Sequence, residues 1–479
     1  MTLSSDLFRQ VWLARIPTMD YRVLEGVTFP EIPSGVPVTT TLAAFRSILA
    51  DMGLDRDRFG TPQWNPLSPL VPAGSSVVIK PNWVLHTNFS GEGMDCVVTH
   101  PSLLAALCAY LFKAEPGKVV LGDAPVQGCD FPVLMEWLDL ERWIGPWAER
   151  ISVRDFRLVT LPGGHFVDAK AASATRDPER DYLLFDLAGK SVLEPITDRE
   201  ETPFRVTMYD PDAMKRTHRP GRHQFLVARE MIEADVVFNL PKLKTHKKSG
   251  VTGALKNLIG INGHKEYLPH HRKGGAGRGG DCYPGGSMAK SLAEDLLDRA
   301  NRLGAGPAKR ALFVAAYVLN RLEGRRKARI GLEGSWHGND TIWRTCMDLQ
   351  RILHYGKVDG TLAETRQRSV WSLTDAILAG QGEGPLAPSP RPLGLLTLAA
   401  SPVAAEWVHT LAMGLDPERI PIVREAFGQW PWPLVDFAPG EVEALLEGVR
   451  LPLEEIFDRV GADFVPPLGW QGHCERARV

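Results

Sequence analysis

Between Ser75 and Leu161 the sequence alternates short apolar runs with amphipathic stretches, and no other feature limits the fold as strongly. SSVVIKPNWV reads as a strand centred on Val77, Val78 and Ile79. Thr99-His100-Pro101 opens the helix PSLLAALCAYLFKA, with threonine placed to cap it and proline at an early helical position. KVVLGDAPVQGCD gives a second strand, FPVLMEWLDLERWI a second helix and ISVRDFRLVTL a third strand. This rhythm predicts an α/β fold, a mainly parallel sheet flanked by helices. Parallel strands end at one edge, where open α/β sheets bind ligands, so Lys80, Asn82 and Asp123 become candidates for ligand contact. A lysine is also a common way to end a strand.

A chain of 479 residues exceeds one typical core of about 100–200 residues, which predicts two or three lobes. The expected division is an N-terminal extension packed on the core (1–74), an α/β lobe (75–290), a second lobe of helices and α/β structure (291–428) and a surface-wrapping tail (429–479). The polar stretch from about Pro162 to Arg229 reads as an inserted hairpin region with strands at YLLFDL and FRVTMYD; its His218 and His223 are expected at the surface. The C-terminal part reads as largely helical. Net charge −2 argues against nucleic acid as the main partner. The six cysteines have no CxxC spacing, so a local zinc or iron–sulfur motif is not indicated and free thiols in a reducing compartment are expected. With no secretory pattern at the start and no apolar run of about 20 residues, the expected location is the cytoplasm.

The chemistry is expected between Asn239 and Gly286, after a buried strand through Val236-Val237-Phe238. From Pro241 to Gly280 there are seven lysines and two arginines against Glu266 alone, a formal +8, together with four of the thirteen histidines. Such a loop asks for an anionic partner. The competing reading is a solvated basic loop. Lys242, Lys244, Asn257, Lys265, His270 and His271, with Lys80 and Asn82, are the candidates to hold a phosphate or carboxylate. His246 is the candidate for acid–base work, because neighbouring lysines lower its pKa toward a usable base; Asp123 and Lys256 complete the catalytic set. A structural hydrogen bond at a turn is the alternative for His246. Neither GxGxxG nor GxxxxGK[ST] occurs, so the usual NAD and ATP signatures are missing. Cys282 in GGDCYPGG is a weak candidate nucleophile.

Two further helices follow, the second running into Arg325, Arg326, Lys327 and Arg329; a packed helix with a solvated end is expected, a membrane or polyphosphate contact being the rival. In GNDTIWRTCMDLQRILHYG, Asp340, Arg344, Asp348 and Arg351 fall at i, i+4, i+8 and i+11, one stripe of a helix. That stripe is either an exposed ion-pair ladder or a row of charges facing the basic loop. Asp340 and Asp348, with Glu406, are the candidate ligands for a divalent ion such as magnesium or manganese. Glu383 in the Gln381–Gly384 loop is another carboxylate within possible reach.

Taken together, VVIKPNW, THP, GDAP, LPKLKTH running on to GALKNLIG, GNDTIWRTCMDL, DAILAGQGEGP and SPVAAEWVHTLAMGLDP resemble the bacterial and archaeal family called domain of unknown function 362, from about Val77 to Gly428. The resemblance implies that Lys80, Asn82, His100, Asp123, Lys242, Lys244, His246, Lys256, Asn257 and Glu406 sit at family positions, the last replacing a usual aspartate. Some members add a ferredoxin-type segment, which this chain lacks. The expected function is an enzyme that clamps a phosphorylated or carboxylated small molecule with lysines and amides and moves protons with histidine and carboxylate. The alternative is a metal- or iron–sulfur-dependent redox or binding protein.

Overall fold

The computed structural model describes residues 5–161, 173–174, 176–197, 203–206, 209–304, 306–324 and 331–477. A mixed sheet of eleven strands organises them. In chain order these are β1 (Gln10–Arg15), β2 (Ser76–Pro81), β3 (Lys118–Asp123), β4 (Ile151–Asp155), β5 (Val236–Leu240), β6 (Lys242–His246), β7 (Gly250–Thr252), β8 (Ser369–Glu383), β9 (Ala387–Ala399), β10 (Glu443–Leu446) and β11 (Val449–Leu451). Across the sheet they stand β11-β10-β1-β9-β8-β5-β2-β3-β4, while β6 pairs with β8 and carries β7. From β8 to β4 every neighbouring pair is parallel. The α/β fold read from the strand and helix rhythm is therefore present, with β8 and β9 forming a long antiparallel hairpin beside it.

The helices used below are α1 (Thr40–Asp51), α2 (Pro101–Leu111), α3 (Phe131–Leu138), α4 (Ala254–Asn257), α5 (Met288–Arg302), α6 (Pro307–Gly324), α7 (Ile342–Tyr355) and α8 (Pro402–Ala412). Strand side chains alternate faces, and the cores follow that period. Val77, Ile79, Val119, Leu121 and Phe238 pack with α1, α2 and α3 on one face. Val78, Val120 and Val237 face the other side and pack near Leu349 and Ile352 of α7. Each fully buried valine or isoleucine contributes roughly 1.5–3 kcal/mol, so this double-sided burial fixes the register of β2, β3 and β5.

Four expectations change at this level. Residues 1–74 do more than pack on the core, because β1 lies inside the sheet between β9 and β10. The tail from 429 supplies β10 and β11, and its buried Trp470 donates from Nε1 to the Lys247 carbonyl at 2.7 Å. His218 and His223 are buried in a three-stranded antiparallel sheet rather than exposed, His223 Nε2 meeting Glu194 at 2.9 Å and the two Nδ1 atoms lying 3.3 Å apart. The cap of α2 is His100, whose Nδ1 accepts from Ser102 N at 3.2 Å. Thr99 instead donates to Leu240 O at 2.6 Å and accepts from Asn82 N at 2.9 Å, tying the ends of β2 and β5 together. The basic residues Arg325, Arg326, Lys327 and Arg329 lie outside the described residues.

Candidate functional site

The carboxyl ends of β2, β3 and β5 meet β6, β7 and α4 at one edge of the sheet, and a cleft of about 310 Å³ opens there. Its polar floor is a chain of buried side chains. Asn257 of α4 accepts from Lys80 Nζ at 3.0 Å and from Asn82 Nδ2 at 2.8 Å, and donates to Asn239 Oδ1 at 2.8 Å. Lys80 Nζ also lies 2.7 Å from Asp123 Oδ1. The second Asp123 oxygen accepts from Trp83 N at 2.7 Å, so this carboxylate is fully engaged with lysine and backbone and makes no contact with His246. Gly260 is required here by space: a Cβ on it would stand 2.0 Å from Asp123 Oδ1.

The expected basic loop is partly strand. Lys242 to His246 form β6, all five residues buried, because hydrogen-bond partners inside the fold replace solvent. Lys242 Nζ is 2.7 Å from both Asp375 Oδ2 and Tyr21 OH. Lys244 Nζ donates to Asn82 Oδ1 at 2.6 Å and to the Val97 carbonyl. Both lysines point into protein, and neither lines the cleft.

Three other lysines do. Lys248, Lys256 and Lys265 border the cleft, and their ammonium groups make no hydrogen bond or ion pair among the described residues. Burial lowers the pKa of all three, and the neighbouring lysines add to the effect; Lys265 is brought down to about 7. Lys247, beside them, closes instead on Glu383 at 3.2 Å. Glu333 also borders the cleft and attracts Lys248 without contacting it. The Thr252 hydroxyl, buried at the same wall, has no hydrogen-bond partner.

Two histidines face this group of cations, and burial followed by the lysine charges holds both well below the ordinary imidazole range. Their wiring differs. His246 Nδ1 accepts from the backbone N–H of Lys248 at 3.0 Å and of Ser249 at 3.3 Å, which leaves the neutral ring's proton on Nε2. His270 Nδ1 donates to the Leu268 carbonyl at 2.7 Å, which leaves a lone pair on Nε2. His246 is thereby a hydrogen-bond donor and His270 a proton acceptor, the reverse of the roles their sequence positions suggest. His271 is buried beside Arg205 and is not part of the cleft.

The candidate metal ligands have other duties. Asp340 pairs with Arg344 at 3.1 Å, and Asp348 with Arg351 at 2.9 Å. Asp348 and Arg351 are fully buried: Asp348 accepts from Val192 N at 3.0 Å, while Arg351 donates to Lys190 O at 2.6 Å. Asp348 and Arg351 on α7 thus face the 190–192 segment, whereas Asp340, just before α7, stays partly exposed and lies 3.9 Å from Arg272 of the basic segment as well as against Arg344. Glu406 of α8 lies behind the cleft, where Oε2 accepts from Leu255 N at 2.9 Å and Oε1 has no partner. Its burial raises its pKa to about 7. Gly253 admits it, because a Cβ there would stand 2.5 Å from the carboxylate. Among the described residues, no group of three or more histidine, cysteine, aspartate or glutamate side chains is placed to hold a metal ion. Cys282 is fully buried, with its thiol pKa pushed well up, which removes it as a nucleophile.

Of the expected residues, the structure therefore brings Lys80, Asn82, Asp123, His246, Lys256, Asn257, Lys265 and His270 to one cleft. Lys248 was not singled out from sequence. Lys248 carried a usable signal, standing two residues past His246 at the end of a strand.

Residues 187–410 match the model of the family described as Domain of unknown function (DUF362), so the family resemblance holds over that span. The span includes β5 to β7, α4 and nearly all of α8, whereas Lys80, Asn82 and Asp123 lie before it. A thylakoid-associated protein of Synechocystis sp. is 26% identical over 380 residues, 79% of this chain and 72% of that protein. A crystal structure of a Thermotoga maritima protein aligns over 74% of this chain with 13% identity and a TM-score of 0.31; this chain spans about half of it, 54%.

Proposed function

We propose that this DUF362-family chain is an enzyme that holds the phosphate or carboxylate of a small molecule on Lys248, Lys256 and Lys265 and moves a proton through His270 and Lys265. The observation that carries the reading is the set of three ammonium groups bordering one cleft, none of which makes a hydrogen bond or ion pair among the described residues, Glu333 attracting Lys248 only from beyond contact. Removing a charge from water costs several kcal/mol unless it is paired, so an anion supplied from outside would offset a standing cost. Lys248 and Lys256 then act as fixed charges on the anion. Lys265, with its pKa brought down to about 7 and charged once an anion is bound, is the group able to give up a proton, and the His270 Nε2 lone pair the group able to accept one from the bound molecule. His246 donates its Nε2–H to an oxygen that gains charge. Asp123 and Lys80 hold the floor on which Asn82 and Asn257 stand.

The test is calorimetric titration with inorganic phosphate, a phosphomonoester and succinate, on wild type and on Lys256→Met and Lys248→Met. Saturable binding of one of these anions, lost or weakened at least tenfold in either variant, is the expected result. Equal affinity in all three proteins removes the anion clamp. Against a substrate so found, His270→Gln should keep affinity and lose turnover. The metal or iron–sulfur reading draws no support from the donor set, since all six cysteines are buried without a shared cluster among the described residues. No helix among the described residues is long and apolar enough to cross a membrane. With a relative named for a thylakoid, membrane-surface attachment is proposed alongside the cytoplasmic location, and cell fractionation separates them.

A further inference from the structure

We propose that the anion taken by this cleft carries an apolar body, aliphatic or aromatic, and that the apolar part of the cleft lining is its subsite. The inference rests on the anion reading and adds the substrate class. Lys248 follows β6, Lys256 lies on α4 and Lys265 follows it; the same cleft is also lined by Val84, Phe89, Val126, Tyr209 and Leu386, which come from other segments. Backbone hydrogen bonds fix that lining: Val126 N donates to Val84 O at 3.1 Å, and Phe89 N to Leu386 O at 2.9 Å. Val84, Val126 and Leu386 are only partly buried at the rim of the core under β2 and β3, so each leaves apolar surface to the cleft. Phe89 is 60% exposed, so its ring is available to a ligand at the cleft. A site for inorganic phosphate or a small hydrophilic acid has no use for such a lining, whereas an alkyl or aryl phosphate or carboxylate covers it while its charge meets the lysines.

Matched probes test this: methyl, octyl and phenyl phosphate, with acetate and octanoate as the carboxylate arm. Octyl or phenyl phosphate, or octanoate, should bind about tenfold or more tightly than its one- or two-carbon partner. Phe89→Ser and Leu386→Ser should erase that preference while leaving methyl phosphate or acetate affinity unchanged. Equal affinities for short and long probes, with Lys256→Met still weakening both, would overturn the apolar subsite and spare the anion clamp. No difference between wild type and Lys256→Met would overturn the clamp itself.

A different observation carries a second inference. On α6, Arg310, Val314, Tyr317 and Arg321 recur at i, i+4, i+7 and i+11, a single stripe. Val314 is 62%, Tyr317 58% and Val318 46% exposed, while Ala316 on the other side is buried. The face is apolar in the middle, has arginine at both ends and carries no acid from Pro307 to Arg321. A second copy laid on this stripe, parallel or antiparallel, sets arginine against arginine. We infer that α6 instead rests on an anionic lipid surface, its apolar middle in the headgroup layer and its arginines on phosphate. Wild type should co-sediment with phosphatidylglycerol vesicles but not phosphatidylcholine vesicles, less so at high salt, and Val314→Glu/Tyr317→Glu should lose this with Tm unchanged. Equal pelleting of the variant, no pelleting of wild type, or a dimer in solution dissolved by the variant would each overturn it.

Discussion

Lys242 and Lys244 on β6 and Lys248, Lys256 and Lys265 at the cleft come from one basic stretch, yet the fold treats them oppositely. The first two are fully buried and each ammonium is engaged, Lys242 on Asp375 and Tyr21, Lys244 on Asn82 and Val97. The other three are desolvated without partners among the described residues. Charge alone therefore does not mark a binding residue; an ammonium group without a hydrogen-bond or ion-pair partner among the described residues does. The largest effect that would break this comparison lies in stability. Lys242→Met leaves Asp375 buried and unpaired, and should cost about 3–5 kcal/mol in urea unfolding. Lys256→Met relieves an unpaired charge, and should leave unfolding unchanged or raise it. If both variants lost similar stability, the division between structural and ligand-facing lysines would fail.

The next effect is on affinity. A charged hydrogen bond is worth about 1.5–3 kcal/mol, so Lys256→Met should weaken anion binding by roughly ten- to a hundredfold. Lys256→Arg keeps the charge on a longer, planar head and should recover only part of the loss, which a parallel titration would read.

How much of this was legible beforehand follows from what each residue answers to. The parallel half of the sheet was readable because Val77-Val78-Ile79 and Val236-Val237-Phe238 are runs that only double-sided burial explains. The strand β1 and the tail strand β10 depended on partners far away in sequence, which no local pattern encodes, whereas the β8–β9 hairpin is local but its proline-rich run from Pro385 to Pro392 reads as a loop. At the site, the segment and the residues after β2 and β3 were found from composition and position. What composition could not separate was Lys244 from Lys248, because the difference lies in Asn82 and Val97, more than a hundred residues away. The two histidines were inverted for the same reason: Leu268 O and the Lys248 amide set their tautomers, and neither is visible as a pattern.

Glu406 gives the comparison its converse, a buried carboxylate with no cation beside it. Its pKa rises from 4.5 to about 7 on folding, so the folded chain holds a proton in this interval that the unfolded chain has released. Stability from this group is greatest in acid and falls as pH rises from about 4.5 through about 7. Glu406→Gln removes the titration and keeps the acceptor for Leu255 N. It should leave Tm unchanged at pH 4 and raise stability at pH 8 by about 3 kcal/mol. A Tm difference independent of pH would mean that the carboxylate is already satisfied.

The smallest effect sharpens the comparison within the cleft. Burial depresses the pKa of Lys265 from 10.5 to about 7, and the Lys256 charge adds to this, so without a bound anion it is charged below that pH and neutral above it. A bound anion restores the charge, and above pH 7 binding must take up a proton. Affinity should be flat in mild acid and fall by about tenfold per pH unit above 7, until the pKa of the bound state is reached. Lys265→Met should flatten that profile while showing its main loss of affinity below pH 7, where wild type holds the charge. Titration at pH 8 in two buffers of different ionisation heat reads the proton directly, with close to one taken up by wild type and less by the variant. Zero uptake in wild type would place Lys265 among the paired lysines, and proton transfer would then fall to His270 alone.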